Sequence, residues 1–126
     1  MRVMIFARTT PEGETQPRGS GGYEEMAAFE QELNAAGVLL DSGALMPSKA
    51  GVRVTTGGSA PTVTDGPFTE SKELVAGYWL WQVRSVEEAV EWLRKAPFPD
   101  GMELEIRPLF DMDMQGSEAP EAPASD

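Results

Sequence analysis

The segment LVAGYWLWQV, residues 74–83, is the most apolar stretch of the chain and decides its fold. In an extended strand successive side chains point to opposite faces, so Trp79 and Trp81 share one face while Tyr78 and Leu80 share the other. A strand that is apolar on both faces is buried on both faces. In a chain of 126 residues, helices can cover only one side of a single sheet. We therefore expect the other side to meet a second subunit.

The segments around this strand alternate between strand and helix patterns. Apolar side chains at helical spacing predict one helix from Tyr23 to Ala36, and a second helix follows Ser85. Further strands are predicted at residues 2–8, 38–46, 51–56, 62–64 and 102–110. The order strand, helix, strands, strand, helix, strand indicates an α+β, ferredoxin-like fold. The strands on either side of GGSAP, residues 57–61, add an extra β-hairpin to that fold.

Capping residues mark the ends of both helices. Gly37 follows the first helix, where a glycine is the usual stop. Ser85 and Glu88 form a capping-box pattern at the start of the second helix. The apolar stripes expected to face the sheet are Met26, Phe29, Leu33 and Ala36 in the first helix, and Val86, Ala89, Val90 and Leu93 in the second.

Two segments carry no periodic pattern. Residues 9–22, TTPEGETQPRGSGG, predict a long loop, and a loop of that length in a small domain is either functional or disordered. Residues 113–126 contain Pro, Ala, Ser and acidic side chains, a composition that cannot bury a core. We therefore expect one domain over residues 1–112 and a disordered acidic tail over residues 113–126.

The charge balance limits the partners that the protein can bind. The chain has 10 basic and 21 acidic residues, for a net charge of −11. So acidic a surface repels phosphate backbones, and we expect no direct binding to nucleic acid. No apolar run approaches the roughly 20 residues that span a bilayer, and no signal peptide is recognisable, so we expect no membrane partner. The absence of cysteine is compatible with a cytoplasmic location, which is the prediction.

The chain contains neither histidine nor cysteine. Nucleophilic sites that pair Ser or Cys with His, and the usual zinc sites, are therefore excluded. Acid–base chemistry would fall to Asp, Glu, Lys or Tyr, and a metal would have to be an oxygen-bound ion such as Mg²⁺. We predict no cofactor and no metal site.

The segment VTDGPFTESKE, residues 63–73, holds the main candidate for chemistry. Asp65 before Gly66 and Pro67 is typical of a turn in which the carboxylate accepts backbone N–H groups. The alternative is that Asp65 lies at the mouth of a cleft and acts as a general base. The two interpretations are compatible, because a fixed turn also positions a base.

Four further residues are candidates for ligand binding, each with a structural alternative. Phe68 either plugs the core under the turn or stacks on a ligand. Lys72 belongs to a solvated charge cluster with Glu70 and Glu73, or it lines a polar pocket for an anionic or amphipathic molecule. Tyr78 is a core or interface residue, or it lines a ligand pocket. Arg107 forms an ordinary ion pair with a neighbouring glutamate, or it binds a substrate carboxylate.

The motifs together resemble a known family. AAGVLLDSGALMP at residues 35–47, TVTDGPFTESKELVAGYWLWQV at 62–83, SVEEAVEWL at 85–93 and MELEIRPL at 102–109 look like the YCII-related proteins, specifically the branch with a DGPF motif. The resemblance covers roughly residues 1–110. It implies a dimeric α+β barrel, in which two ferredoxin-like sheets face each other, and hence a homodimer.

The resemblance implies two classes of function. Some YCII relatives are lyase-like enzymes with a proposed His–Asp pair; only the acid can be carried over here, and Asp65 is its candidate. DGPF proteins are often linked with sigma factors, which implies an accessory or regulatory role. Because no histidine and no group of catalytic residues is present, a small-molecule-binding or accessory module is the first hypothesis. A lyase-type enzyme with Asp65 as general base is the alternative.

Overall fold

The computed structural model describes residues 1–15, 22–68 and 74–110. Strands in this part are, in chain order, β1 (Arg2–Thr9), β2 (Leu39–Ala44), β3 (Val52–Thr55), β4 (Thr62–Asp65), β5 (Leu74–Gln82) and β6 (Leu104–Pro108). The helices are α1 (Pro11–Thr15), α2 (Tyr23–Ala35) and α3 (Val86–Arg94), and a 3₁₀ turn covers Ser48–Ala50. Among the described residues, no helix has the length and apolar character needed to cross a membrane.

Four strands form the main sheet, in the spatial order β2-β5-β1-β6. Every neighbouring pair in it is antiparallel. The first half of the chain contributes β1 and β2, and the second half contributes β5 and β6. Strands from the two halves alternate across the sheet, as in a ferredoxin-like fold. The predicted α+β, ferredoxin-like fold is confirmed.

The two faces of the main sheet differ in what covers them. Cross-strand pairing places Ile5 opposite Trp79 on one face and Phe6 opposite Tyr78 on the other. Helix α2 covers the first face, where the ring of Phe29 lies 5.6 Å from that of Trp79. No helix of the described part covers the second face. The predicted division of β5 into two apolar faces is confirmed.

The hydrophobic core lies between the helix-covered face and helices α2 and α3. Trp79 is central to it, because its ring stacks on Trp81 at 5.3 Å and lies 5.5 Å from the ring of Phe98. Each fully buried side chain of this size contributes about 1.5–3 kcal/mol. The buried apolar residues of this cluster are Val3, Ile5, Phe29, Leu33, Val38, Trp79, Trp81, Val83 and Ala89.

Both predicted helix ends are present. Gly37 has a φ of 74°, its N–H bonds the carbonyl of Asn34, and the N–H of Val38 bonds the carbonyl of Leu33 at 2.9 Å. These two bonds are the Schellman motif, which requires the left-handed conformation that glycine adopts at least cost.

At the start of α3, the Glu88 N–H donates to Ser85 Oγ at 3.1 Å. The Glu88 carboxylate in turn accepts the N–H of Arg84 at 2.7 Å, one residue earlier than in the usual capping box. This backbone hydrogen bond is the main reason that the pKa of Glu88 lies below its ordinary value, and the indole of Trp92 adds to it. The capping-box prediction is confirmed, with Arg84 as the reciprocal partner.

Two details differ from the sequence prediction, and a third prediction is not covered by the structure. Ala36 is exposed because α2 ends one residue before it, at the cap. The predicted loop at residues 9–22 contains the short helix α1, whose start is fixed by Thr10: its Oγ1 accepts the Gly13 N–H at 3.0 Å. Threonine before proline is a common helix start. The tail at residues 113–126 lies outside the described residues.

The hairpin of β3 and β4 forms a two-stranded sheet of its own. Val54 pairs with Val63, and Val52 pairs with Asp65. The three valines are exposed on the surface. The extra β-hairpin is therefore confirmed, and it is an addition to the main sheet and not an extension of it.

Candidate functional site

A cavity of about 600 Å³ lies on the helix-covered face of the main sheet. The sheet forms one wall, helices α1 and α2 form a second, and the chain between α3 and β6 forms a third. Small-molecule sites typically have volumes of about 300–1,000 Å³ and mostly apolar walls. Among the residues that line this cavity are Ala7, Glu14, Met26, Glu30, Trp79 and Phe98.

Glu30 contributes one of the two carboxylates in the lining of the cavity. It lies one helical turn after Met26 on α2 and is half-buried. Its Oε2 accepts a hydrogen bond of 2.6 Å from Trp79 Nε1. A buried indole N–H needs such an acceptor, so the core tryptophan fixes the position of the carboxylate. The described residues supply no other hydrogen-bond donor to Glu30.

Glu14 contributes the other carboxylate, from α1. Its two oxygens accept the Ser48 N–H at 3.0 Å and the Ser48 hydroxyl at 2.5 Å. The same Ser48 Oγ accepts the Phe68 N–H at 3.1 Å. A serine hydroxyl donates one hydrogen bond and accepts up to two, so these contacts are mutually compatible. Two hydrogen bonds thus link the wall of the cavity to the Asp65–Phe68 turn.

Gly66 brings the Asp65–Phe68 turn into backbone contact with the 3₁₀ turn. Its N–H donates to the carbonyl of Gly51 at 2.9 Å. A Cβ atom at Gly66 would lie only 1.8 Å from the carbonyl oxygen of Ser48, so no side chain fits there. The glycine is required by this close approach of two backbones.

Asp65 is the last residue of β4 and is exposed. It does not line the cavity. Within the described residues its carboxylate accepts no hydrogen bond, so the expected turn contact with backbone N–H groups is not seen there. The physical reason is that the N–H groups of the turn bond elsewhere: the Gly66 N–H donates to Gly51 O, the Phe68 N–H donates to Ser48 Oγ, and Pro67 has no N–H. Its role as a general base stays a prediction.

Phe68 is half-buried at the base of the hairpin. The guanidinium carbon of Arg53 lies 3.8 Å from the centre of its ring, which is a cation–π contact. Phe68 does not line the cavity. Lys72, together with Glu70 and Glu73, lies outside the described residues.

Tyr78 lies on the face of the main sheet that carries no helix. Its ring packs against Gly43, where a Cβ atom would lie 2.6 Å from the Tyr78 ring carbon Cε1. Its hydroxyl donates to Asp41 Oδ2 at 3.4 Å. Tyr78 is also among the residues that border the cavity, so it is the one predicted ligand-binding residue at that site within the described part.

Arg107 is exposed on β6 and pairs with Glu105. Glu105 also forms an ion pair of 2.8 Å with Arg8 Nη1. The hydrogen bond from Arg107, and secondarily that from Arg8, holds the pKa of Glu105 below its ordinary value. This geometry agrees with the ion-pair interpretation of Arg107, and a ligand carboxylate would have to displace Glu105 to bind there.

The predicted site residues therefore do not converge. Asp65 and Phe68 belong to the hairpin and its turn, whereas Tyr78 and Arg107 belong to the main sheet. Sequence reasoning missed Glu14, Glu30 and Ser48. Glu30 lies one helical turn after Met26, a member of the apolar stripe of α2, and that position was an available signal for a carboxylate beside the core.

Comparison with known proteins agrees with this architecture. A four-stranded antiparallel sheet in the order β2-β5-β1-β6, with helices on one face, defines a ferredoxin-like α+β domain. The YCII-related domain family matches residues 1–113, and the chain therefore belongs to the YCII-related family. An uncharacterised protein of Rhizobium meliloti (strain 1021) is 30% identical over 87 residues, which cover 68% of this chain and 70% of that protein.

Proposed function

We propose that this YCII-related protein is a small-molecule-binding module whose ligand occupies the cavity between the main sheet and helices α1 and α2. The single observation that carries the proposal is the cavity, because about 600 Å³ of space beside a core tryptophan is not needed for packing. Met26, Phe98 and Trp79 offer apolar contact area. Glu14 and Glu30 supply the few polar groups that orient a ligand.

The test of this proposal is binding of a neutral aromatic probe, naphthylethanol, to the full chain. Isothermal titration calorimetry gives the affinity. Ala7→Phe fills the cavity from β1, and Ala44→Phe fills it from β2 as a second, independent variant. Ala28→Phe adds the same side chain on the exposed side of α2 and serves as the control.

We expect the probe to bind the wild type and the control, and to bind both filled variants at least about tenfold more weakly. Circular dichroism of each variant checks that the fold is retained. The proposal is wrong if neither this probe nor a charged analogue of it binds the wild type, or if the probe binds the filled variants as tightly.

We further propose that the module is a homodimer in which two main sheets face each other. The open face, defined as Met4, Phe6, Tyr78 and Leu80, is half-buried in the single chain although no helix of the described part covers it. Glu105 and Arg107 border this apolar centre. An apolar centre with a polar rim is the usual composition of an interface, and two copies of one face form a closed twofold dimer.

Light scattering at micromolar concentration tests this arrangement. We expect a dimer for the wild type and a monomer for Leu80→Glu, because the variant would bury an unpaired charge between the sheets. Tyr23→Glu is the control, since Tyr23 is 78% exposed at the start of α2, away from the open face. A monomeric wild type, or a dimeric Leu80→Glu, contradicts the proposal.

Two more specific functions remain predictions. The lyase-type alternative needs Asp65 as general base, and the described geometry leaves that carboxylate exposed and outside the cavity. An accessory role beside a sigma factor, and a cytoplasmic location, rest on the resemblance and on composition alone. The binding module is preferred because the cavity supports it directly.

A further inference from the structure

The charged side chains that line the cavity limit the class of ligand that it can bind. Two carboxylates, Glu14 and Glu30, belong to its lining, and the lining within the described part contains neither lysine nor arginine. The charge that a ligand meets there is therefore negative. Anions are repelled from such a site, while cations are attracted more strongly than in water because the low dielectric of the protein screens less.

Both carboxylates are oriented by protein donors, and within the described residues neither has a positively charged partner. Trp79 Nε1 holds Glu30, and the Ser48 N–H and hydroxyl hold Glu14. Neither glutamate takes part in an ion pair within residues 1–15, 22–68 and 74–110. An ionised carboxylate offers about four lone-pair positions, so acceptor capacity remains on both side chains. A partly buried carboxylate without a counter-charge is costly, and a cationic ligand would relieve that cost.

The apolar walls distinguish an organic cation from a metal ion. Within the described residues, no three acidic side chains come together in a group that could hold a metal. Trp79 and Phe98 border the cavity instead, and aromatic faces attract ammonium groups as well as apolar bodies. The space of about 600 Å³ also exceeds what a single ion fills.

We infer that the ligand of this cavity is an amine: a protonated ammonium group that donates to Glu30 and Glu14, carried on an apolar or aromatic body. The inference rests on the proposed function, since it assigns a ligand class to the same cavity. It opposes the expectation of an anionic ligand that Lys72 suggested.

Three probes of one shape separate charge preference from binding itself. Naphthylethylamine, naphthylethanol and naphthylacetate carry a positive, a neutral and a negative group on the same ring system. Isothermal titration of each into the full chain at neutral pH gives three dissociation constants. A charge-assisted hydrogen bond is stronger than a neutral one, so we expect the amine to bind about tenfold or more tightly than the alcohol. The acetate should bind most weakly.

Glu30→Gln and Glu14→Gln test which carboxylates are responsible. A glutamine oxygen can still accept the hydrogen bond from Trp79 at position 30, and one of the two from Ser48 at position 14, so each variant removes charge and keeps the size of the side chain. We expect each to reduce the amine's advantage over the alcohol, because the negative charge is lost while a hydrogen-bond acceptor remains. Glu32→Gln is the matched control, because Glu32 lies on the same helix, is 61% exposed and does not line the cavity.

The outcomes separate this inference from the proposed function. Alcohol or acetate binding as tight as amine binding overturns the inference and leaves the binding module standing. An amine preference that survives both glutamine variants also overturns it. If none of the three probes binds the wild type, both the inference and the proposed function are wrong.

Discussion

Replacing Gly66 with alanine tests whether the close backbone contact between the Asp65–Phe68 turn and the 3₁₀ turn at Ser48–Ala50 stabilises the protein. The added Cβ would lie 1.8 Å from the Ser48 carbonyl oxygen and 2.6 Å from its carbonyl carbon. Real Cβ atoms do not approach other atoms to less than 3.0 Å, so the two backbones must separate. No side-chain rotation relieves this contact, because both atoms belong to the main chain.

The cost of separation follows from the contacts that would break. The Gly66 N–H donates to Gly51 O at 2.9 Å, and the Phe68 N–H donates to Ser48 Oγ at 3.1 Å. Each hydrogen bond contributes about 0.5–1.5 kcal/mol net, which gives about 1–3 kcal/mol for the pair. Overpacking of a rigid site typically costs about 1–3 kcal/mol as well. We therefore expect Gly66→Ala to lower the free energy of unfolding by that amount.

Gly51→Ala is the matched control within the same contact. A Cβ at Gly51 would lie 3.5 Å from the same Ser48 oxygen, an ordinary contact, and its φ of −105° suits any residue. Both substitutions restrict the unfolded chain equally, so their difference isolates the collision. Urea unfolding followed by tryptophan fluorescence, at one protein concentration, gives both free energies. The stabilising role of this backbone contact is refuted if the free energies of unfolding of the two variants agree within about 0.5 kcal/mol.

Three further predictions concern the cap of α3, the acid response and the wall of the cavity. Ser85→Ala should lower the free energy of unfolding, measured in urea, by about 1 kcal/mol, whereas Ser85→Thr keeps the hydroxyl and should not lower it. Equal stability of the two variants would show that the hydroxyl does not cap α3. The pKa of Glu105 is lowered in the folded state by Arg107, so its contribution is complete above the ordinary value of 4.5 and is lost as pH falls through the folded value. Glu105→Gln should therefore flatten the acid-induced loss of stability measured by unfolding at successive pH values, and an unchanged pH profile would contradict this. Ser48→Ala removes a hydroxyl that donates to the Glu14 carboxylate, and should cost about 1–3 kcal/mol in urea unfolding; a loss below about 0.5 kcal/mol would show that the link is not formed.

The parts of the fold that local patterns control could be predicted from the sequence. The alternation in β5 separates Trp79 from Tyr78 whatever the tertiary structure, because the period of a strand is fixed by its backbone. The stop at Gly37 and the cap at Ser85 also depend only on neighbours in the chain. These predictions are confirmed for that reason.

The candidate site was not predictable in the same way. The contact between Glu14 and Ser48 joins residues 34 positions apart, and no local pattern marks such a pair. Helix α1 lies within a Gly- and Pro-rich segment whose composition is typical of a loop. Asp65 illustrates the opposite failure: its local sequence is ideal for a turn contact, but the Phe68 N–H donates instead to Ser48 Oγ, which is distant in the sequence.

The separate sheet of the β3–β4 hairpin has a consequence for how the molecule opens. An isolated two-stranded hairpin is marginally stable in water, and this one shares no strand pairing with the main sheet. Its amide hydrogens should therefore exchange with solvent deuterium through local opening, while those of β1 and β5 should exchange only when the whole domain unfolds. The protein would then contain two cooperative units of unequal stability, and a protease that attacks opened segments would cut first near Gly57 and Gly58, where both glycines have positive φ.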